Sequence, residues 1–148
     1  MTTATASLRV PGDDELRGDL LRKLRSLIRL RNEARAGIAP SKNDLRALAS
    51  EFPGALRELD DTPLETLEAR FAELNGPDDV PRWATAAWLY HAALRQQLEA
   101  TRAGQRPPGG SVEVAIERVA AVMGVDANEV TRLAIPHARR RANARAPR

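Results

Sequence analysis

The stretch PRWATAAWLYHAALRQQL, residues 81–98, holds both tryptophans, the only tyrosine and one of the two histidines of the chain. Its apolar side chains recur at steps of three or four residues, which places them on one face of a helix; they are Trp83, Ala87, Tyr90, Leu94 and Leu98. Trp88 and nearby alanines form a second apolar face, so other helices should cover this helix on more than one side. Pro81 suits the first helical position, because a helix makes no use of that N–H. We therefore expect this segment to be the central helix of the fold.

An amphipathic first helix is predicted near the start of the chain, before the central helix. Acidic residues at positions 13–15 lie where a helix N-terminus favours negative charge, and Gly37 is placed to end the helix just after Ala36. The helix carries an apolar stripe of Leu16, Leu20, Leu24, Leu27 and Ile28. The stripe is narrow enough for an internal core or for a partner helix. A protein partner, or a second copy of the chain, is therefore one possibility for this face.

Two capping sequences predict further helices. Ser41 precedes an apolar-periodic segment as an N-cap, and Thr62 is followed by proline at the first helical position and glutamate at the third. No run of alternating β-branched residues is present. The predicted fold class is therefore all-α, with a helical bundle as its body. We expect one shared core that contains Leu24, Ile28, Leu67, Phe71, Trp83, Tyr90 and Leu94.

Length and composition fit a folded domain. The chain has 148 residues, of which 43% are hydrophobic, and a net charge of +3. It has no cysteine, which excludes thiolate metal sites and thiol nucleophiles. The first residues lack the apolar run of a signal peptide, and no stretch approaches the roughly 18 apolar residues of a membrane span. These features predict a cytoplasmic protein without membrane contact.

A Gly/Pro-rich segment at residues 103–111 is the predicted linker. The predicted organisation is a disordered lead-in (residues 1–12), a helical body (13–102), this linker, a small C-terminal unit (112–136) and a basic tail (137–148).

The small C-terminal unit contains VAAVMGVDANEVTRL, residues 119–133. Ala120, Gly124, Val130 and Leu133 fall at the offsets of a helix-turn-helix, and the segment resembles that of bacterial repressors, most closely the LacI type. In that family the second helix lies in the major groove of DNA. The resemblance implies that the residues facing the duplex are Ala127, Asn128, Thr131 and Arg132. The fold is thus expected to be a helical bundle with a small C-terminal helix-turn-helix-like unit.

The residues around this motif suit the same role. Asp126 is placed as the N-cap of the second helix, with Glu129 as its N3 partner. Asparagine and arginine side chains can make bidentate contacts to adenine and guanine edges. The basic tail can neutralise phosphates and adds a sequence-independent, salt-dependent contribution to binding; its three consecutive arginines are Arg139, Arg140 and Arg141.

Two functions stay open at this point. The first is a small DNA-binding or transcription-associated regulator, and the second is an all-helical protein–protein interaction module, an adaptor or scaffold, that binds no nucleic acid. An enzyme is not expected. His91 is interpreted as a hydrogen-bonded packing residue, and His137 has no acid near it in sequence. Nucleotide-binding loops and hydrolase motifs are absent from the sequence, so we predict no catalytic residue, no metal site and no cofactor.

Overall fold

Seven helices make up the computed structural model, which describes residues 8–105 and 111–134. They are α1 (Asp13–Arg35), α2 (Lys42–Glu51), α3 (Ala55–Asp61), α4 (Leu64–Asn75), α5 (Arg82–Arg102), α6 (Ser111–Met123) and α7 (Ala127–Ala134). The described ranges contain no strand, and the predicted all-α class is confirmed. None of the described helices combines the length and the apolarity that crossing a membrane requires.

The stripe of α1 is covered from inside the chain. The four leucines of this stripe and Leu30 are almost inaccessible to solvent, and α3, α4 and α5 pack against the helix. They belong to a first core that also contains Phe52, Leu59, Leu67 and Leu74. Ile28 and Phe71 are only partly buried at the edge of this core. Because the leucines are used internally, a partner helix could contact α1 only outside this stripe.

Helix α5 separates this first core from a second one. Leu89, Tyr90 and Leu94 of α5 pack in the second core with Val119 of α6 and Val130 of α7. The prediction of a single core is therefore wrong: Leu24, Leu67 and Trp83 lie in or against the first core, whereas Tyr90 and Leu94 lie in the second. The reason is that α5 is apolar on opposite sides, and its many alanines let helices approach from both.

The helix starts agree with the sequence in part. Ser41 is the N-cap of α2, and its hydroxyl accepts a hydrogen bond from the backbone N–H of Asp44 at 3.0 Å. Pro63 and Pro81, however, are themselves the N-cap residues of α4 and α5, one position before the place predicted for them. Both have extended ψ angles near 150°. Thr62 consequently does not cap α4, and its buried hydroxyl has no hydrogen-bond partner in the described chain.

The α6–α7 pair packs directly on α5. The predicted linker falls partly on residues 106–110 and the predicted tail starts beyond Ala134, so both extend outside the described residues. The proposed division into two units stays a prediction. Leu8, which belongs to the predicted lead-in, is only 6% exposed and packs in the second core. No sequence pattern predicted that contact.

Candidate nucleic-acid interface and a buried polar cluster

The turn between α6 and α7 has the local geometry that its sequence requires. Gly124 adopts a φ of 69°, a left-handed conformation that residues with a Cβ rarely adopt. The backbone N–H of Val125 donates to the carbonyl of Ala120 at 3.1 Å, which closes α6. Asp126 accepts a hydrogen bond from the backbone N–H of Glu129 at 2.9 Å. The predicted N-cap at Asp126 is therefore confirmed.

Apolar positions of the motif form the contact between the two helices and α5. Val119 and Val130 are fully buried, and Ala134 is 3% exposed. Ala120 and Leu133 are partly buried against the same core. The inner side of the pair is thus anchored on α5, and the polar residues of α7 occupy its other sides.

The predicted DNA-contacting residues lie mostly on the outside of α7. Ala127, Asn128 and Arg132 are exposed. Thr131 is partly buried, and its hydroxyl donates to the carbonyl of Ala127 at 3.0 Å, which occupies its donor within the helix. The other three predicted residues, Arg139, Arg140 and Arg141, lie outside the described residues.

Arg132 already has a partner inside the protein. Its Nε donates to Glu129 Oε1 at 3.2 Å, and its Nη2 pairs with Oε2 of the same carboxylate. Both residues lie on α7 three positions apart, at the protein surface. Exposed ion pairs of this kind stabilise a protein by at most about 1 kcal/mol. Arg132 can therefore leave Glu129 for another acceptor at little cost.

The same chain was compared with known protein families, with curated proteins and with solved structures. No match was found in any of the three. The resemblance to a helix-turn-helix thus depends on residues 119–133 and on the geometry described above.

A second polar arrangement lies inside the protein, between α1, α3 and α5. The Lys23 ammonium is 2.8 Å and 3.1 Å from the two carboxylate oxygens of Glu58, and 2.9 Å from Nε2 of His91. His91 Nδ1 is 2.5 Å from the carbonyl oxygen of Pro53. All three side chains are buried. Because Lys23 is a donor, the His91 ring accepts at Nε2 and donates from Nδ1.

Burial and charge set the protonation of this cluster. Burial, together with the Lys23 ammonium, lowers the pKa of His91 to about 4, although the Glu58 carboxylate acts in the opposite direction. Burial alone would raise the pKa of Glu58, but its basic neighbours, Lys23 foremost, together outweigh burial and the pKa is lowered. The cluster is thus an ion pair beside a neutral histidine. This geometry agrees with the prediction that His91 is a hydrogen-bonded packing residue.

This cluster was not predicted from the sequence, although one pattern indicates it. Lys23 lies seven positions after Leu16 and four before Leu27, so it shares the buried face of α1. A lysine on a buried face requires a buried partner. Which acid supplies it depends on how α3, the helix that carries Glu58, packs against α1. Within residues 8–105 and 111–134, no cluster of three or more acidic or histidine side chains is placed to hold a metal ion.

We expect the stability of the protein to fall between pH 6.5 and pH 4 because of His91. Its pKa in the folded protein, about 4, is below the ordinary value of 6.5, so the unfolded chain binds the proton first as the pH falls. The contribution is complete above pH 6.5 and is lost progressively down to about pH 4, by on the order of 3 kcal/mol. Urea denaturation at several pH values measures it.

The control for this pH dependence is His91→Gln, whose side chain cannot titrate. The difference in unfolding free energy between the two proteins should shrink as the pH falls through this window. A difference that stays constant from pH 7 to pH 4.5 would show that His91 titrates in the folded protein as it does in the unfolded chain.

Proposed function

We propose that this protein binds duplex DNA and acts as a small DNA-binding or transcription-associated regulator. The observation that carries the proposal is the α6–Gly124–α7 arrangement, whose apolar side is buried on α5 while Asn128 and Arg132 are exposed on α7. A recognition helix needs this combination of a rigid support and a free polar face.

The exposed residues of α7 have suitable chemistry for base contacts. Asn128 can donate to and accept from an adenine edge, and Arg132 can donate two parallel hydrogen bonds to a guanine. Arg132 would exchange the Glu129 carboxylate for the base. The tail arginines, Arg139, Arg140 and Arg141, would contribute phosphate contacts and therefore a salt-dependent share of the affinity.

The test is a titration of the protein against duplex pools at two salt concentrations. Arg132→Ala should weaken binding to the preferred sequences by about 1–3 kcal/mol and reduce sequence preference. Replacement of the three tail arginines by alanine should weaken binding to all duplexes alike. It should also reduce the slope of log affinity against log salt concentration by the amount expected for up to about three phosphate contacts. Glu129→Gln should strengthen binding, because it removes the carboxylate that competes for Arg132.

Arg46 provides the control for Arg132, because Arg46 is also an exposed arginine but lies on α2. Arg46→Ala should leave duplex binding unchanged. Wild-type affinity no tighter than about 10⁻⁴ M at low salt would contradict the proposal. Binding that depends only on the tail would reduce it to a nonspecific charge interaction.

An all-helical protein-interaction module is the second candidate, and one surface favours it. An open pocket of about 250 Å³ lies between α1 and α4, where Ile28 and Phe71 are only partly buried. Arg25 stacks over the Phe71 ring, with its guanidinium carbon 5.5 Å from the ring centroid. Concentration-dependent sedimentation would indicate that the protein self-associates. If Ile28→Asp abolishes this dependence and the wild type binds no duplex DNA, the results favour an interaction module that binds a second copy of the chain.

A further inference from the structure

An open pocket of about 420 Å³ lies between α4, the beginning of α5 and the end of α7. Its volume is within the range of small-molecule sites. The side chains that line it include Glu65, Arg70, Glu73, Trp83, Arg132 and Leu133. The pocket combines an indole ring and an aliphatic side chain with four charged groups of both signs.

Arg70 differs from the other arginine of this pocket, because Arg132 is paired with Glu129. The Arg70 guanidinium carbon lies 5.0 Å from the centroid of the Trp83 ring, and the side chain is partly buried. In the described part of the chain, this guanidinium makes no hydrogen bond or ion pair. Burial lowers its pKa below the ordinary value, although Glu58 and Glu73 act in the opposite direction. The Arg70 nitrogens are not among the buried unpaired atoms, so solvent reaches their donors and an acceptor on a ligand can replace that water.

The Trp83 indole beneath it also lacks a partner. Its Nε1 is inaccessible to solvent and donates no hydrogen bond to any described residue. The other tryptophan differs, because Trp88 Nε1 donates to Asp19 at 3.1 Å. Buried donors are nearly always paired in folded proteins, so an unpaired one needs an explanation. Trp83 thus offers the pocket its ring surface, and the donors open to a ligand are those of Arg70.

We propose that this pocket binds a small organic monocarboxylate with an apolar body, whose carboxylate is held by Arg70. The planar guanidinium presents two parallel donors that match a carboxylate. The apolar body would lie against Leu133. Glu65 and Glu73 border the pocket, and their charges oppose a doubly negative ligand such as phosphate more strongly than a single carboxylate.

The test uses the full, ¹⁵N-labelled chain and benzoate as the probe. Two indole N–H resonances are expected, and Trp83→Phe assigns one of them to Trp83. Benzoate should shift the Trp83 resonance in a saturable way and leave that of Trp88 unchanged. Arg70→Gln should weaken binding by about tenfold or more, because a charge-assisted bidentate contact is lost. Inorganic phosphate should bind more weakly than benzoate. No nucleic acid is needed, so the outcome is independent of DNA binding.

The matched control is Arg25→Gln, since Arg25 also stacks on an aromatic ring but outside this pocket. Its benzoate affinity should equal that of the wild type. If Arg70→Gln does not fold, Arg70→Lys keeps the charge without the planar pair of donors and should also bind more weakly. Absence of a saturable shift, equal affinity in the folded Arg70 variant, or equal affinity for phosphate would overturn the proposal.

Discussion

Glu58→Gln should destabilise the protein by about 3–5 kcal/mol, because it leaves the Lys23 ammonium buried without its counter-charge. Lys23 is 2% exposed and Glu58 7% exposed, so water can compensate neither of them. The neutral His91 ring accepts one hydrogen bond from the ammonium but supplies no negative charge. The free energy of unfolding, measured by urea denaturation at pH 7, gives the size of the loss.

A surface ion pair of the same chain provides the control. Glu51 pairs with Arg22 at the protein surface, where both side chains are about half exposed. Glu51→Gln makes the same chemical change and should cost less than about 1 kcal/mol, because solvent screens the pair. Equal losses for the two variants would mean that Lys23 and Glu58 are solvated. Lys23→Met combined with Glu58→Leu should recover much of the loss, because no buried charge then remains.

The second large effect is expected from Leu89→Ala. Leu89 is fully buried in the second core, where it packs with residues of α6 and α7. Loss of its side chain removes apolar contacts and leaves a cavity, which should cost about 2–5 kcal/mol. Hydrogen exchange of the Val119 and Val130 amides should accelerate along with exchange in α5, if the C-terminal pair and the body unfold together.

Leu98 lies on the same helix but is 42% exposed, and so provides the matched control. Leu98→Ala should change the free energy of unfolding by less than about 1 kcal/mol, because little apolar surface leaves a packed environment. If Leu89→Ala accelerates exchange only in α6 and α7, the C-terminal pair unfolds as a separate unit. That outcome would support the two-unit organisation that the Gly/Pro segment predicts.

The turn between α6 and α7 was predictable because its determinants are local. Gly124, the Asp126 cap and the buried Val130 lie within seven residues of one another, and local spacing determines which of them face inward. The function that the resemblance implies is a different matter. It depends on Arg132, whose pairing with Glu129 is local, and on the tail arginines, which lie outside the described residues. DNA binding therefore stays a proposal.

What the sequence by itself determined are the features that depend on near neighbours along the chain. These are the all-α class, the leucine face of α1, the end of that helix near Gly37 and the caps at Ser41 and Asp126. Each of them follows from helical periodicity or from a hydrogen bond within a few residues.

Only the tertiary structure decided which surfaces meet. It divided the expected single core into two, because α5 is apolar on opposite sides and periodicity does not say which helix covers which side. It also brought Lys23 to Glu58 and His91, which are 35 and 68 positions away along the chain. It placed Arg70 on Trp83 beside α7 in the same way. Contacts at such separations depend on how whole helices pack, and no local pattern in the sequence specifies that packing.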